Sequence, residues 1–385
     1  MPPALLHRLR QRLRGGAKVE PAVPTPAERA LRTVPRLVAE PWYVEHLDVS
    51  GDRLFAAGWS MPVDSGSTPA NGEFTVNGLR FDELRYPLPR PDVGEVFWMR
   101  EGSGLSGFEG VIEHLAAPYP NGLLEIRRAR ADTPALERGR DSWFKPDPAL
   151  HVDLPDEDRR FRVIADRDAD RFLISGATDY QRIDLAVSAL AEKHVHDFDR
   201  VLDWGVGCGR LARHFPKEHA AAVLTGCDID HDNIAWCSEH LPGNFAACSM
   251  SPPLPFADAS FDLVYSVSVF THLREPMQLR WLEELSRVMK PGALLLTTIH
   301  GQTALDFSRQ PPSEYARLQA EVRQKGIVFT GDNTQLDGHA EHGGEYVNVL
   351  HSADYVRRVW GRTFEVVHIL PGYILHHDLV MLRKL

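Results

Sequence analysis

The stretch VLDWGVGCGR, residues 201–210, constrains this chain more than any other. An apolar run leads into an aspartate and three glycines, and CGRLARHF then reads as the start of a helix. A strand, a glycine turn and a helix open an α/β sheet whose ligands sit at the carboxyl ends of its strands. Gly205, Gly207 and Gly209 let the backbone turn sharply and approach a ligand closely. A dinucleotide fingerprint, GxGxxG, requires glycine at position 210, where the chain has Arg210. The spacing here is DxGxGxG, and Asp203 is a poor neighbour for a phosphate but a good one for an ammonium group. The loop points to a cationic, amino-acid-like ligand; plain turn chemistry is the alternative.

The chain around this loop alternates strand-like and helix-like segments from about residue 160 onward. TDYQRIDLAVSALAEKH reads as a helix, and RVLDWG, AVLTGCDI, NFAACS, FDLVYSVSV and GALLLTTIH read as buried strands. EPMQLRWLEELSRVMK reads as a helix on Leu279, Leu282, Leu285 and Met289, stopped by Pro291-Gly292. Such alternation predicts a mostly parallel sheet covered by helices on both faces. FEVVHILP and HDLVMLRKL are too close for a parallel crossover, so the sheet is expected to carry one reversed strand near its edge. Asp228, about 20 residues after the glycines, is placed to accept both hydroxyls of a ribose. Asp230 competes for that role but fits better as the cap of the next helix.

The front of the chain has a different texture. Residues 1–40 hold a basic segment with Arg8, Arg10, Arg12, Arg14 and Lys18, followed by a Pro- and Ala-rich linker. Leu5, Leu6, Leu9 and Leu13 fall at helical spacing, which suits a short amphipathic helix at an anionic lipid surface; a solvated tail is the plainer reading. Residues 41–150 show short β-like runs (RLFAAGWS, GEFTVNG, GEVFWM, GFEGVIEHL, GLLEIRRAR) between turn signals, the pattern of a small all-β sandwich. HVDLPDEDRR reads as a second, charged linker ahead of the α/β part, residues 160–385. The formal net charge of −10 argues against a general nucleic-acid binder. No apolar run reaches the roughly 18 residues of a membrane span, and no signal-peptide pattern opens the sequence. Cys208, Cys227, Cys237 and Cys248 form no CxxC pair and read as reduced thiols of a cytoplasmic protein, at most peripheral to a membrane.

The order VLDWGVGCGR, TGCDID, PPLPFADASFDLVYSVSVFTHL and RVMKPGALLLTTIHG resembles class I S-adenosylmethionine-dependent methyltransferases. FTHL, the HG after the fifth strand and a C-terminal HxDLVxLRK are similar to methyltransferases that accompany glycosyltransferases in bacterial surface-glycan pathways. The resemblance implies a Rossmann-like seven-stranded sheet of order 3-2-1-4-5-7-6 with strand 7 antiparallel. It implies S-adenosyl-L-methionine as cofactor, with Asp203, Gly205, Gly207 and Gly209 at its methionine part, Asp228 at the ribose, and Ser249 and Met250 at the adenine. Trp204, Ile229 and Ser266 are expected on the same surface, although Trp204 replaces the smaller residue expected beside the methionine end. The segments GWSMP, VNG, LPRPDVGEVF and SGFEGVI resemble small β-sandwich modules attached to some glycan-modifying glycosyltransferases, which implies carbohydrate binding, contact with a partner enzyme, or stabilisation of the other domain.

A sugar hydroxyl is a weak nucleophile and needs a general base, a role that suits histidine near neutral pH. Of the 18 histidines, His300 in TTIHG ranks first and His272 in FTHL second; His351, His376 and His377 come from elements expected to close over the site. His339 and His342, with Asp332 or Asp337, match no compact zinc spacing, so no metal is expected. GIVFTGDNTQLDGHAEHGGEY reads as a long polar lid. The resulting expectation is O-methylation of a sugar in a surface glycan or glycolipid, with a glycosyltransferase as a candidate partner. Methylation of a small natural product or peptide, or a non-catalytic glycan-binding scaffold, are the alternatives.

Overall fold

The structure is a computed structural model that describes residues 41–61, 73–129, 135–151, 153–334 and 346–385. The basic N-terminal segment, the linker after it, Asp337, His339 and His342 lie outside those residues.

Alternating apolar residues build the front of the molecule as two facing sheets. Strands β1 (Trp42–Ser50), β2 (Arg53–Ser60), β3 (Glu73–Val76), β4 (Leu79–Arg80), β5 (Glu83–Pro89), β6 (Leu105–Ile112), β7 (Leu123–Ala129) and β8 (Ser142–Pro146) assort into orders β1-β2-β6-β5 and β4-β3-β7-β8. Leu54, Ala56, Trp59 and Phe108 on one sheet meet Phe74, Val76, Leu124 and Ile126 on the other in one core. The stacked rings of Phe74 and Phe108, 4.8 Å apart, join the sheets. GEVFWM, expected as a strand, instead completes helix α1 (Pro91–Val96) and the turn after it. Pro91 starts the helix, and Val93, Val96 and Phe97 turn inward at helical spacing.

The second half is a seven-stranded sheet. Its strands are β9 (Val201–Trp204), β10 (Leu224–Asp228), β11 (Asn244–Ala247), β12 (Phe261–Ser266), β13 (Met289–Ile299), β16 (Phe364–Ile374) and β17 (His377–Lys384), with β14 (Ile327–Asp332) and β15 (Val347–His351) forming a separate ribbon. The order is β11-β10-β9-β12-β13-β17-β16. The first five strands run parallel, and β17 is antiparallel to both its neighbours. Strand succession reverses between β9 and β12, so a crevice opens at their carboxyl ends.

Helices α2 (Glu157–Ile164), α3 (Ala169–Ala191), α4 (Lys217–Val223), α5 (His231–His240), α6 (Glu275–Val288), α7 (Gln302–Phe307), α8 (Pro312–Lys325) and α9 (Ala353–Val359) complete this half. The expected linker at HVDLPDEDRR therefore runs into α2, which Asp156 caps by accepting from the Arg159 amide at 2.9 Å. On α6 the buried face is Met277, Trp281, Leu282, Leu285 and Val288. Leu279 points to solvent, and Met289, Pro291 and Gly292 already belong to β13. The expected lid is strand at both flanks: β14 and β15 pair antiparallel, and residues 335–345 between them lie outside the described residues.

The two halves share one core. Phe307 of α7 packs edge-on against Phe97 at 4.8 Å and lies 6.2 Å from Trp59. Ile174, Leu305, Tyr315 and Leu318 extend the sandwich core into the α/β half. Arg182 of α3 donates to the carbonyls of Gly139 and Ser142 at 3.0 and 3.1 Å, and Thr178 accepts from the Phe144 amide at 2.9 Å. Among the described residues, no helix is long and apolar enough to cross a membrane.

Candidate active site

The glycine loop needs glycine at each of its three positions. Gly205, Gly207 and Gly209 have φ of +82°, +54° and +75°. A methyl group at Gly205 would lie 2.4 Å from Val269, and one at Gly209 would lie 2.2 Å from Leu241. The Gly205 and Val206 amides donate to the Cys227 carbonyl at 2.8 and 3.1 Å, folding the loop over the end of β10. Asp228 then fastens it: one carboxylate oxygen accepts from the Gly207 amide at 2.7 Å, the other from the Asp230 amide at 2.9 Å. Burial pushes the Asp228 carboxyl up, while these amide bonds favour its charged form. Asp230 caps α5 through the Asn233 amide and pairs with Arg162 at 3.0 Å.

A first cavity opens beside this loop. Its polar end is Asp228, Asp230, Asn233 and Arg162; its apolar end is Trp204, Met250, Val269, Leu273 and Trp281; Gly205, Gly207, Ile229 and Tyr346 complete the wall. Trp204 packs its ring at a tilt 4.8 Å from Trp281 and edge-on 5.2 Å from Phe270, so its bulk forms part of an aromatic floor. The Trp281 indole donates to the Met250 carbonyl at 3.0 Å and holds the third-strand segment against the cavity.

Four residues expected on this surface are not part of its wall. Asp203 and Trp204 point to opposite faces of the sheet, as successive strand residues must. The Asp203 side chain is buried beside Tyr265 and Arg210, and burial pushes it up to about 7 against the opposing pull of those two neighbours. Gly209 is covered by Leu241 and Cys237. Ser249 faces solvent, and Ser266 is buried with its hydroxyl 2.7 Å from that of Thr297. Sequence reasoning missed Arg162, Asn233, Trp281 and Tyr346; only Trp281, on the apolar stripe of α6, carried a readable signal.

A second cavity adjoins the first, and Val163, Val267, Ser268 and His272 line both. Its far wall carries His300, His376, His377, Arg210, Asp179 and Tyr43, the last from the sandwich. His272 sits at the junction. Its Nδ1 is 2.9 Å from the Val347 carbonyl and must donate there, so Nε2, 3.2 Å from the Ser268 hydroxyl, carries the lone pair. Burial holds this ring down to about 4. His300 follows the end of β13 and reaches only the second cavity, with burial holding it well below the usual histidine range. His351 packs against Gln278 at 2.9 Å, away from both of these cavities.

Residues 202–297, which hold the glycine loop, Asp228 and His272, match the family described as methyltransferase domain. A malonyl-[acyl-carrier protein] O-methyltransferase of Coxiella burnetii is 30% identical over 141 residues, 34% of this chain and 47% of that protein. A phthiotriol/phenolphthiotriol dimycocerosates methyltransferase of Mycobacterium ulcerans is 32% identical over 125 residues, 32% of this chain and 42% of that protein. The chain thus spans less than half the length of these curated relatives. A solved S-adenosylmethionine-dependent methyltransferase from Methanosarcina mazei aligns over 49% of this chain and 92% of its own, at 21% identity and a TM-score of 0.34. The matched segment is similar to methyltransferase domains, and the methyl donor that this similarity implies is S-adenosylmethionine. The lining of the first cavity suits that donor: the Asp228 carboxylate shares it with apolar Trp204, Met250 and Trp281, and Gly205 and Gly207 lie so close under Val269 and Val163 that a Cβ on either would collide with them.

Proposed function

We propose that this chain is a methyltransferase that uses S-adenosylmethionine to methylate a hydroxyl of a sugar in a surface glycan or glycolipid. The observation that carries this reading is the pair of adjoining cavities, one suited to the donor and one of mixed polar and apolar lining, meeting at Ser268 and His272. Asp228 would hold the ribose hydroxyls, Met250 and Ile229 would flank the base, and Trp204 and Gly205 would border the methionine end. When bound, the donor supplies an electrophilic methyl on a positively charged sulfur.

The protein's own work is alignment and proton removal. Positioning the acceptor oxygen in line with the carbon–sulfur bond supplies much of the acceleration. In such a transfer the His272 Nε2 lone pair would take the proton of the acceptor hydroxyl, and the donor, when bound, would supply the methyl group. The second chamber places Asp, Arg, Asn and His side chains among Val, Ile and Leu, and the polar ones offer hydrogen-bond partners to a hydroxyl-bearing acceptor. The O-methyltransferase named among the relatives supports an oxygen acceptor. The sandwich, on this reading, meets the glycan or the glycosyltransferase that builds it.

Calorimetry with S-adenosylmethionine and its demethylated product tests the donor site. Binding should be measurable in the native chain, and Asp228→Ala should weaken it at least about tenfold through the lost charge-assisted bonds. Undiminished affinity in that variant would refute the ribose assignment. Mass spectrometry of surface glycans with and without the gene should show the loss of one methyl increment; an unchanged glycan rules out the sugar acceptor.

A further inference from the structure

Three imidazoles meet on the far wall of the second cavity. His300 follows β13, His376 lies in the tight turn that joins β16 to β17, and His377 opens β17. One ring nitrogen of each lies within 4.8 Å of the others. The Nε2 atoms of His300 and His377 are 3.0 Å apart, and their rings lie nearly parallel at 4.8 Å. Nitrogens bound to one cation at about 2.1 Å stand roughly 3.0–3.4 Å apart, so this pair already has ligand spacing.

The Nε2 atoms of His300 and His377 face each other at hydrogen-bond distance, so without a cation one of them donates its proton to the other, and a cation between them would displace that proton. The Nδ1 of His376 is buried without a hydrogen-bond partner, a cost that a cation would remove.

We propose that His300, His376 and His377 bind a zinc ion, with its remaining coordination position open to the second cavity. Three neutral imidazoles with an open position suit zinc and similar borderline cations, and suit magnesium or calcium poorly. Closing the third nitrogen onto the pair requires a movement of up to about 1.4–1.8 Å, since 4.8 Å exceeds ligand spacing. An acceptor hydroxyl placed on the open position would become more acidic, which offsets the weak basicity of His272. That role rests on the methyl-transfer reading; the site itself does not. The expectation of no metal came from weighing His339 and His342, which are far along the chain from these ligands.

The test uses the untagged full chain stripped with a chelator, then titrated with zinc by calorimetry and with cobalt by visible spectroscopy. One tight equivalent is expected, with a tetrahedral cobalt spectrum. His376→Gln and His377→Gln should each weaken it at least about 100-fold, given that altering outer-shell partners alone costs 10- to 100-fold. His376→Gln carries the test if His377→Gln misfolds, because its Nδ1 has no bond to lose. Failure of the native chain to bind zinc tightly, or tight binding retained in His376→Gln, would overturn the site. S-adenosylmethionine binding is measured in parallel. A chain that binds the donor but no zinc refutes this site alone, and the reverse refutes the methyl-transfer reading alone.

Discussion

At the scale of single residues, Asp203 shows what a motif reveals and what it conceals. Its place in DxGxGxG was readable, but the direction of its side chain depends on strand alternation, and that sends Trp204 rather than Asp203 into the cavity. The three glycines were legible because positive φ is a backbone demand that only glycine meets cheaply. Ser249 and Ser266 were not, since short hydroxyl side chains carry no periodic signal of their own. The buried Asp203 has a measurable consequence. Its carboxyl is raised from 3.8 to about 7, so the folded state binds a proton more tightly than the unfolded chain. Its stabilisation is complete below about pH 4 and is lost as pH rises through 7, a swing of roughly 4 kcal/mol at about 1.4 kcal/mol per unit. Asp203→Asn, neutral at every pH, should flatten this part of the thermal-stability profile between pH 4 and 7. A variant with the same slope as the native chain would show that another group causes it.

Elements with a buried stripe were legible, and elements held by polar ties were not. Helix α6 was legible from Leu279, Leu282, Leu285 and Met289, of which Leu282 and Leu285 do lie on its buried face, while Leu279 points to solvent and Met289 opens β13. Helix α2 has no fully buried residue, so DEDRRFRVI offered no stripe to read and passed for linker. It nevertheless roofs the first cavity, carrying Arg162 to Asp230 and Val163 against Gly207. Its hold depends on the cap at Asp156, which implies that Asp156→Ala costs about 1 kcal/mol locally. Hydrogen exchange should then quicken across residues 157–164, with donor affinity reduced several-fold. Unchanged protection there would mean that Arg162 alone anchors the helix. The β14–β15 ribbon escaped notice for another reason: its strands are short, and the polar run between them dominates the local composition.

At the scale of the whole molecule, two textures in the sequence correspond to two architectures but not to two independent bodies. The change from turn-rich β runs to strand–helix alternation was plain, whereas the shared core was invisible because its contacts join residues more than 200 positions apart. Phe307 is the joint, wedged between Phe97 and Trp59. Phe307→Ala should cost about 3–5 kcal/mol and lower the melting temperature of both halves together. A sandwich that keeps its own unshifted transition would contradict the common core. The same joint brings Tyr43 of β1, its hydroxyl 3.4 Å from Arg171, into the chamber whose opposite wall bears the histidines. Grafting a different front half onto this α/β half would therefore change one wall of that chamber, Tyr43, while leaving His300 on the other, so the two halves cannot be exchanged as independent modules without altering the chamber between them.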